Sequence, residues 1–501
     1  MAGATHTFFW YDLETFGTNP QTDRIAQFAG IRTDLDMNVV GEPIVCYCKV
    51  SPDFLPDPLS CLVTHITPQT TLKAGLCEDQ FITKINAEFC KPNTCVVGYN
   101  NIKFDDEFIR YALYRNLLDP YLREYAFNNS RWDLINVVRM CHDLRPGGII
   151  WPTDEEGKVS FKLEALTKAN NISHEHAHDA LADVYATIEV AKLIKKNQPK
   201  FFQFLYSNRS KQAVTPYVDI YKKKPFLFTS IQFYHLKRYT SVVMPIANDI
   251  KRRNKFYCID LTSDVEDFIN LPAKEIQYRI FQKHDELIAL GVKPLKIYSL
   301  QINQAPTIAP LSTLQLEDAK RLGIDLELCE KNHKLLSSNS TLWAKFIEVF
   351  NPIEESQSRP KSEFATLSSD PDFALYDNLF FSDKDREKMH HLRSLEPDKI
   401  LTANMQFDDP RLPEMVWRYV CRNYPEVLNE NELQRWKSFC ASRLLVPPGR
   451  ISDYNFFMRK VNEHLQNKNI DSSDKLVLQK LLIYGKKMGE KILGLSPNSQ
   501  F

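Results

Sequence analysis

The chain has 501 residues, 43% of them hydrophobic and 25% charged, and its 63 basic and 63 acidic side chains cancel. That length supports several packed cores, two to four at typical domain sizes, and the zero net charge argues against a chain that is basic throughout, as a dedicated nucleic-acid binder would be. No stretch approaches the roughly 20 consecutive apolar residues of a membrane span. The start Met1–His6 lacks a basic segment followed by an apolar one, and eleven scattered cysteines hold no C-x-x-C pair, so the expectation is a soluble, cytoplasmic protein with reduced thiols, no structural zinc and no membrane partner.

In chain order, Thr7–Tyr11 reads as an apolar strand running into Asp12-Leu13-Glu14, and Ile25–Thr33 as a second β-rich stretch. Val96–Tyr99 predicts a short buried strand. A helix is predicted over Asp105–Leu117, where Phe108, Ala112 and Leu113 recur near helical spacing. Ala180–Lys196 predicts another, with Leu181, Val184, Ile188, Ala191 and Ile194 on one stripe and Pro199 just beyond its end. Strands alternating with helices over 1–198 indicate an α/β domain whose sheet is covered by helices. Over 199–350, the runs Pro225–Phe233, Ser241–Ile246, Phe256–Leu261 and Leu295–Leu300 predict a small strand-rich domain that finishes in a helical stretch, Leu314–Phe350. The polar, proline-bearing segment at about 351–366 is the predicted linker. The rest of 351–501 reads as helical from about 377 to 495, with Ser496–Phe501 a frayed tail.

Charge is not spread evenly along these segments. Residues 1–198 carry 19 Lys and Arg against 26 Asp and Glu, 199–350 carry 22 against 15, and 351–501 carry 22 of each. An acidic segment suits carboxylates that hold divalent metal, and a basic neighbour suits a polyanion brought to them; ordinary surface variation produces the same counts.

Asp12 and Glu14 stand two apart on a predicted strand, so both carboxylates point to one face and can share a hard cation. Alone, such a pair is common on solvated strands. Asp105-Asp106-Glu107 follows Gly98-Tyr99-Asn100-Asn101-Ile102-Lys103-Phe104, and acids there also simply favour a helix N-terminus. His178 and Asp183 lie five apart, about 140° around a continuous helix, which places His178 on the entry loop.

Asp-x-Glu on a first strand, Asp after Asn-x-x-Phe, and His-x-Ala-x-x-Asp near residue 180 occur here in the order of the four-acid-plus-histidine exonucleases. Tyr11–Gly17, Gly98–Glu107, Asn129-Ser130-Arg131-Trp132-Asp133, Leu166–Asn170, Arg321–Ile324 and Phe380–Asp383 resemble the bacterial exodeoxyribonuclease I family across nearly the whole chain. The resemblance implies an α/β fold made of a ribonuclease-H-like exonuclease domain, a strand-rich SH3-like domain and an α-helical C-terminal domain. It implies Asp12, Glu14, Asp105 and Asp183 as ligands of two Mg²⁺ ions, with Mn²⁺ able to substitute, and His178 as general base. The expected activity is processive 3′ to 5′ degradation of single-stranded DNA to 5′-mononucleotides by a monomer, with a role in DNA repair and recombination. Oxygen-only ligands suit Mg²⁺ or Mn²⁺ better than zinc.

A single strand gripped without sequence preference calls for cations interleaved with aromatic faces, as in Lys222-Lys223-Lys224-Pro225-Phe226, Lys237-Arg238-Tyr239 and Lys251–Tyr257. Exposed loops beside core aromatics look the same in sequence. Thr15, Phe16, Lys223, Arg252 and Arg253 are the candidate substrate contacts. The resemblance also implies docking of the acidic C-terminal tail of single-stranded-DNA-binding protein, with Arg145 as its contact. One departure is His65, where the family pattern leads one to expect glycine.

His174-Glu175-His176-Ala177-His178 also satisfies H-E-x-x-H, the zinc-protease motif, which needs a continuous helix. Its flanks, Asn170–Ser173 and Asp179, read instead as a loop and a helix start. A nonenzymatic nucleic-acid adaptor would have no reason to retain all five positions, whereas a ribonuclease of the same superfamily would carry the same five.

Overall fold

Strand β1 (Thr7–Thr15) is almost wholly buried, and its Phe8–Tyr11 half is apolar on both faces, as a central strand must be. A computed structural model describes residues 6–174, 179–236, 238–350, 370–377, 380–447, 453–467 and 469–496. His178, the predicted linker, Lys237 and the tail after Ser496 lie outside them. The chain forms two compact units, one of residues 1–129, 175–185 and 359–501, the other of 130–174 and 186–358.

In the first unit β1 pairs antiparallel with β2 (Ile25–Thr33) and parallel with β4 (Thr94–Gly98), while β2 pairs antiparallel with β3 (Ile44–Tyr47). The order is β3-β2-β1-β4. A parallel neighbour requires a crossover, here the stretch holding the helices Pro58–Thr64, Pro68–Ala74 and Glu78–Phe89. The last of these and the helix Asp105–Arg115 share a core with one face of the sheet, through Phe9, Tyr11, Leu13, Phe81, Phe89, Phe108 and Leu113. Because side chains alternate across a strand, Tyr11 and Leu13 face that core while Asp12 and Glu14 share the other face.

Helices of the C-terminal segment complete this unit. Tyr454, Phe457 and Met458 join Leu478 and Leu481 in a core with Phe16, Phe54 and Cys61; Met389, Leu392, Leu412 and Tyr419 pack with Tyr114 and Leu117. A buried ion network adds to these apolar contacts, for Arg422 bonds both Asp53, at 2.9 Å, and Asp372.

The second unit opens with β5 (Ser130–Asp133) and the helix Leu134–Leu144. Its sheet, β6 (Phe226–Thr229), β7 (Thr240–Asn248), β8 (Lys255–Asp260), β9 (Ile297–Gln301) and β10 (Thr307–Pro310), is antiparallel throughout in the order β10-β6-β7-β8-β9. Asp143 accepts the backbone N–H groups of Tyr239 and Thr240 at 2.8 and 2.7 Å, tying that helix to β7. The predicted helical stretch Leu314–Phe350 is three helices, Leu316–Arg321, Leu326–Ser338 and Ser340–Phe350. Gly323, at φ +64°, ends the first: its N–H reaches Lys320 O and that of Ile324 reaches Ala319 O, a left-handed stop that glycine adopts without strain. Among the described residues no helix is long and apolar enough to cross a membrane.

Candidate active site

Three carboxylates converge on one point of the first unit. Asp12 and Glu14 come from β1 and Asp183 from the first turn of the helix Ala180–Asn197, and each offers an oxygen within 4.8 Å of the other two. Asp179 starts that helix, its Oδ1 accepting the N–H groups of Leu181 and Ala182, both at 3.1 Å. Asp105 is buried in the first turn of its own helix; it is not within the 4.8 Å group, but its charge acts on Asp12.

Gly98 brings the Asp105 segment close to β1. A Cβ there would lie 2.6 Å from Asn101 Cβ and 3.1 Å from Tyr11 O, so a side chain at 98 would push the Asn101–Phe104 turn away from the strand.

The electrostatics are those of crowded negative charge. Burial, then Asp105 and Asp183, raises the Asp12 carboxyl well above the carboxylate range; burial, then Asp12, Asp183 and Asp179, pushes Glu14 up to about 9. Asp53 behaves in the opposite way: burial opposes its ionisation, but Arg422 and Arg24 outweigh burial and hold it at about 2. The Asp12 cluster, whose neighbouring charges are all negative, therefore fits a hard divalent cation with oxygen ligands.

A pH dependence follows. The folded chain keeps a proton on Glu14 that the unfolded chain releases, so without cation, stability contributed below pH 4.5 should be lost as pH rises to about 9. A divalent cation, which binds the ionised carboxylates and releases their protons, should raise the melting temperature and flatten this decline. Thermal unfolding across that range, in chelator and in excess Mn²⁺, measures both; identical curves would contradict the expectation.

Other expected contacts lie elsewhere. Phe16 is fully buried in the core beside Phe54, with no face open to a base, and the Thr15 hydroxyl is turned onto Gly17 O at 2.7 Å. In the second unit Lys223 Nζ donates to Ser337 O at 3.1 Å and lies 4.1 Å over the Trp343 ring. Arg238 is buried and bonded to Leu322 O and Thr262 Oγ1, so the Lys237-Arg238-Tyr239 motif turns its arginine inward. Arg252 and Arg253 are exposed, the former 3.4 Å from Asp249. Arg145 donates to Thr313 O at 3.0 Å, lies 3.5 Å from Asp318 and keeps a quarter of its side chain exposed.

His65 ends the helix Pro58–Thr64 at φ 53°, the left-handed conformation that favours glycine. His174, in non-helical backbone, has Nδ1 3.2 Å from Thr167 Oγ1. The H-E-x-x-H helix would have to begin at that residue.

Models of known families match three stretches: an exonuclease family over residues 9–191, the Exonuclease I SH3-like domain over 209–352 and the Exonuclease I C-terminal domain over 369–488. Exodeoxyribonuclease I of Haemophilus influenzae is 42% identical over 483 residues, 96% of this chain and 98% of that protein. Exonuclease I of E. coli in complex with a dA16 oligonucleotide superposes with a TM-score of 0.89 at 37% identity, covering 97% of this chain and 100% of that one. The zinc ion bound form of an E. coli complex with single-stranded DNA gives 0.87 at the same identity and coverage.

Proposed function

The chain belongs to the exodeoxyribonuclease I family, and from that premise we propose that it removes nucleotides one at a time from the 3′ end of single-stranded DNA. The observation that carries this reading is the convergence of Asp12, Glu14 and Asp183 at the positions of the family's carboxylate motif. Asp105 is the fourth member of the set. These four residues would hold two Mg²⁺ ions, or Mn²⁺ in their place. Bound there, the cations supply the positive charge that favours attack at the scissile phosphate and departure of the 3′ oxygen.

His178, with an unperturbed pKa near ~6.5, takes the proton of the attacking water. The oxygen of that water bonds to phosphorus and the bond from phosphorus to the 3′ oxygen breaks. A 5′-mononucleotide leaves, the departing 3′ oxygen takes a proton from solvent water, and the shortened strand ends in a new 3′ hydroxyl. Arg252 and Arg253, exposed in the basic segment, grip phosphates without reading bases, and Lys223 joins them once it leaves Ser337. Arg145 receives the acidic C-terminal tail of single-stranded-DNA-binding protein in competition with Asp318. The protein acts as a cytoplasmic monomer in DNA repair and recombination.

The test is digestion of end-labelled single-stranded DNA, duplex DNA, RNA and a circular single strand, with Mg²⁺ or with excess chelator. Mononucleotides released from unblocked 3′ ends of single-stranded DNA are expected. Cleavage of the circle, preference for RNA or full activity in chelator would each overturn the proposal.

A further inference from the structure

Behind the carboxylate cluster lies a second, wholly buried group of charges. Tyr11 directly precedes Asp12 on β1 and points to the opposite face, where its hydroxyl donates to Asp106 Oδ1 at 2.7 Å. Asp106 directly follows Asp105 in the first helical turn. The same Oδ1 accepts Arg123 Nη2 at 2.7 Å. Arg123 lies 4.8 Å over the Phe89 ring, and that ring meets Tyr11 edge-on at 5.1 Å. Neither Asp106 nor Arg123 has any side-chain surface exposed.

A buried ion pair is a poor device for stability alone, since an apolar pair of the same volume often stabilises as well or better. Its placement points to another use. The Tyr11–Asp106 bond joins the residue before Asp12 to the residue after Asp105 and so ties the start of that helix to β1. Arg123 holds the joining carboxylate in place from its other side, at 2.7 Å.

We infer that Asp106, held by Tyr11 and Arg123, is a positioning residue that fixes the separation of Asp12 and Asp105 and so sets the affinity of the cluster for divalent cation. This rests on the metal reading proposed above. Partners that orient metal-binding side chains commonly change affinity by about 10–100-fold when removed.

The experiment titrates Mn²⁺ into the full chain without DNA, by calorimetry or electron paramagnetic resonance, and measures melting temperature alongside. Tyr11→Phe removes one hydroxyl and leaves the ring in the core; it is expected to weaken Mn²⁺ binding about 10-fold, with nuclease activity recovered at high Mn²⁺. Asp106→Leu combined with Arg123→Met removes both buried charges together, so that neither is stranded, and should show the same loss of affinity in a folded chain. Asp12→Asn separates the two readings. If it loses Mn²⁺ while Tyr11→Phe and the double variant bind as tightly as the parent, the positioning role is overturned and the metal reading stands. If Asp12→Asn binds Mn²⁺ like the parent, both fall.

Discussion

Asp12→Ala, or Asp183→Asn, is expected to slow mononucleotide release by roughly 10³-fold or more, the scale of losing a group that organises charge at the reacting centre, while the cation-free chain melts no lower than the parent. Both halves follow from one observation. Asp12, Glu14 and Asp183 offer oxygens within 4.8 Å of one another, and burial first, then the neighbouring carboxylates, raises the cost of ionising Asp12 and Glu14. Deleting one relieves repulsion that the folded chain bears only to hold a cation, and sites built for function commonly trade stability in this way. Initial rates on end-labelled single strands in saturating Mg²⁺, with melting curves in chelator, give both quantities. A variant keeping more than about a tenth of the parental rate would place the chemistry elsewhere, since the loss of one ligand to the reacting charge costs far more than that.

What was legible in the sequence was what local pattern determines. β1 and β2 could be read because nine-residue central strands carry enough apolar residues to show, and Asp12 and Glu14 because period-two spacing puts them on one face whatever surrounds them. Four-residue strands such as Ile44–Tyr47, Ser130–Asp133 and Thr307–Pro310 exist through their partners and leave no periodicity. Phe16 stands out in the sequence by its place beside the carboxylate pair, but its packing against Phe54, 38 positions on, shows only in the fold. Tyr11 and Asp106 are separated by 95 residues, and nothing in either segment announces the bond. Asp179 was visible as a helix start but not as a charge acting on Glu14, because that effect depends on burial and tertiary distance.

The largest effect on stability is expected from Asp372→Ala. Asp372 is 1% exposed and accepts Arg418 Nη1 at 3.0 Å, Arg443 Nη2 at 3.2 Å and both terminal nitrogens of Arg422. Burial opposes its ionisation, but Arg422, Arg418 and Arg443 outweigh burial and hold its carboxyl well below the ordinary range. Such a group stabilises fully above its unfolded pKa of about 3.9 and loses that contribution only as pH falls through its depressed folded value, so the network is intact at neutral pH. Removing the carboxylate leaves three guanidinium groups around a vacated buried site. Asp370 still pairs with Arg418 and Arg443, each at 2.7 Å, and Asp53 with Arg422 at 2.9 Å, so part of the positive charge stays compensated. Breaking a buried pair by deleting one partner costs about 3–5 kcal/mol. Glu330→Gln supplies the contrast: Glu330 and Lys334 form a helix-surface pair exposed by 65% and 73%, and its loss should barely register. Thermal and urea unfolding of the two variants at neutral pH should separate them widely, with the folded fraction of Asp372→Ala expected to keep its nuclease rate because the Asp372 carboxylate is committed to Arg418, Arg422 and Arg443. A melting temperature for Asp372→Ala within about a degree of the parent, well under the shift that a few kcal/mol produces, would show that the three arginines find other partners when the carboxylate is gone.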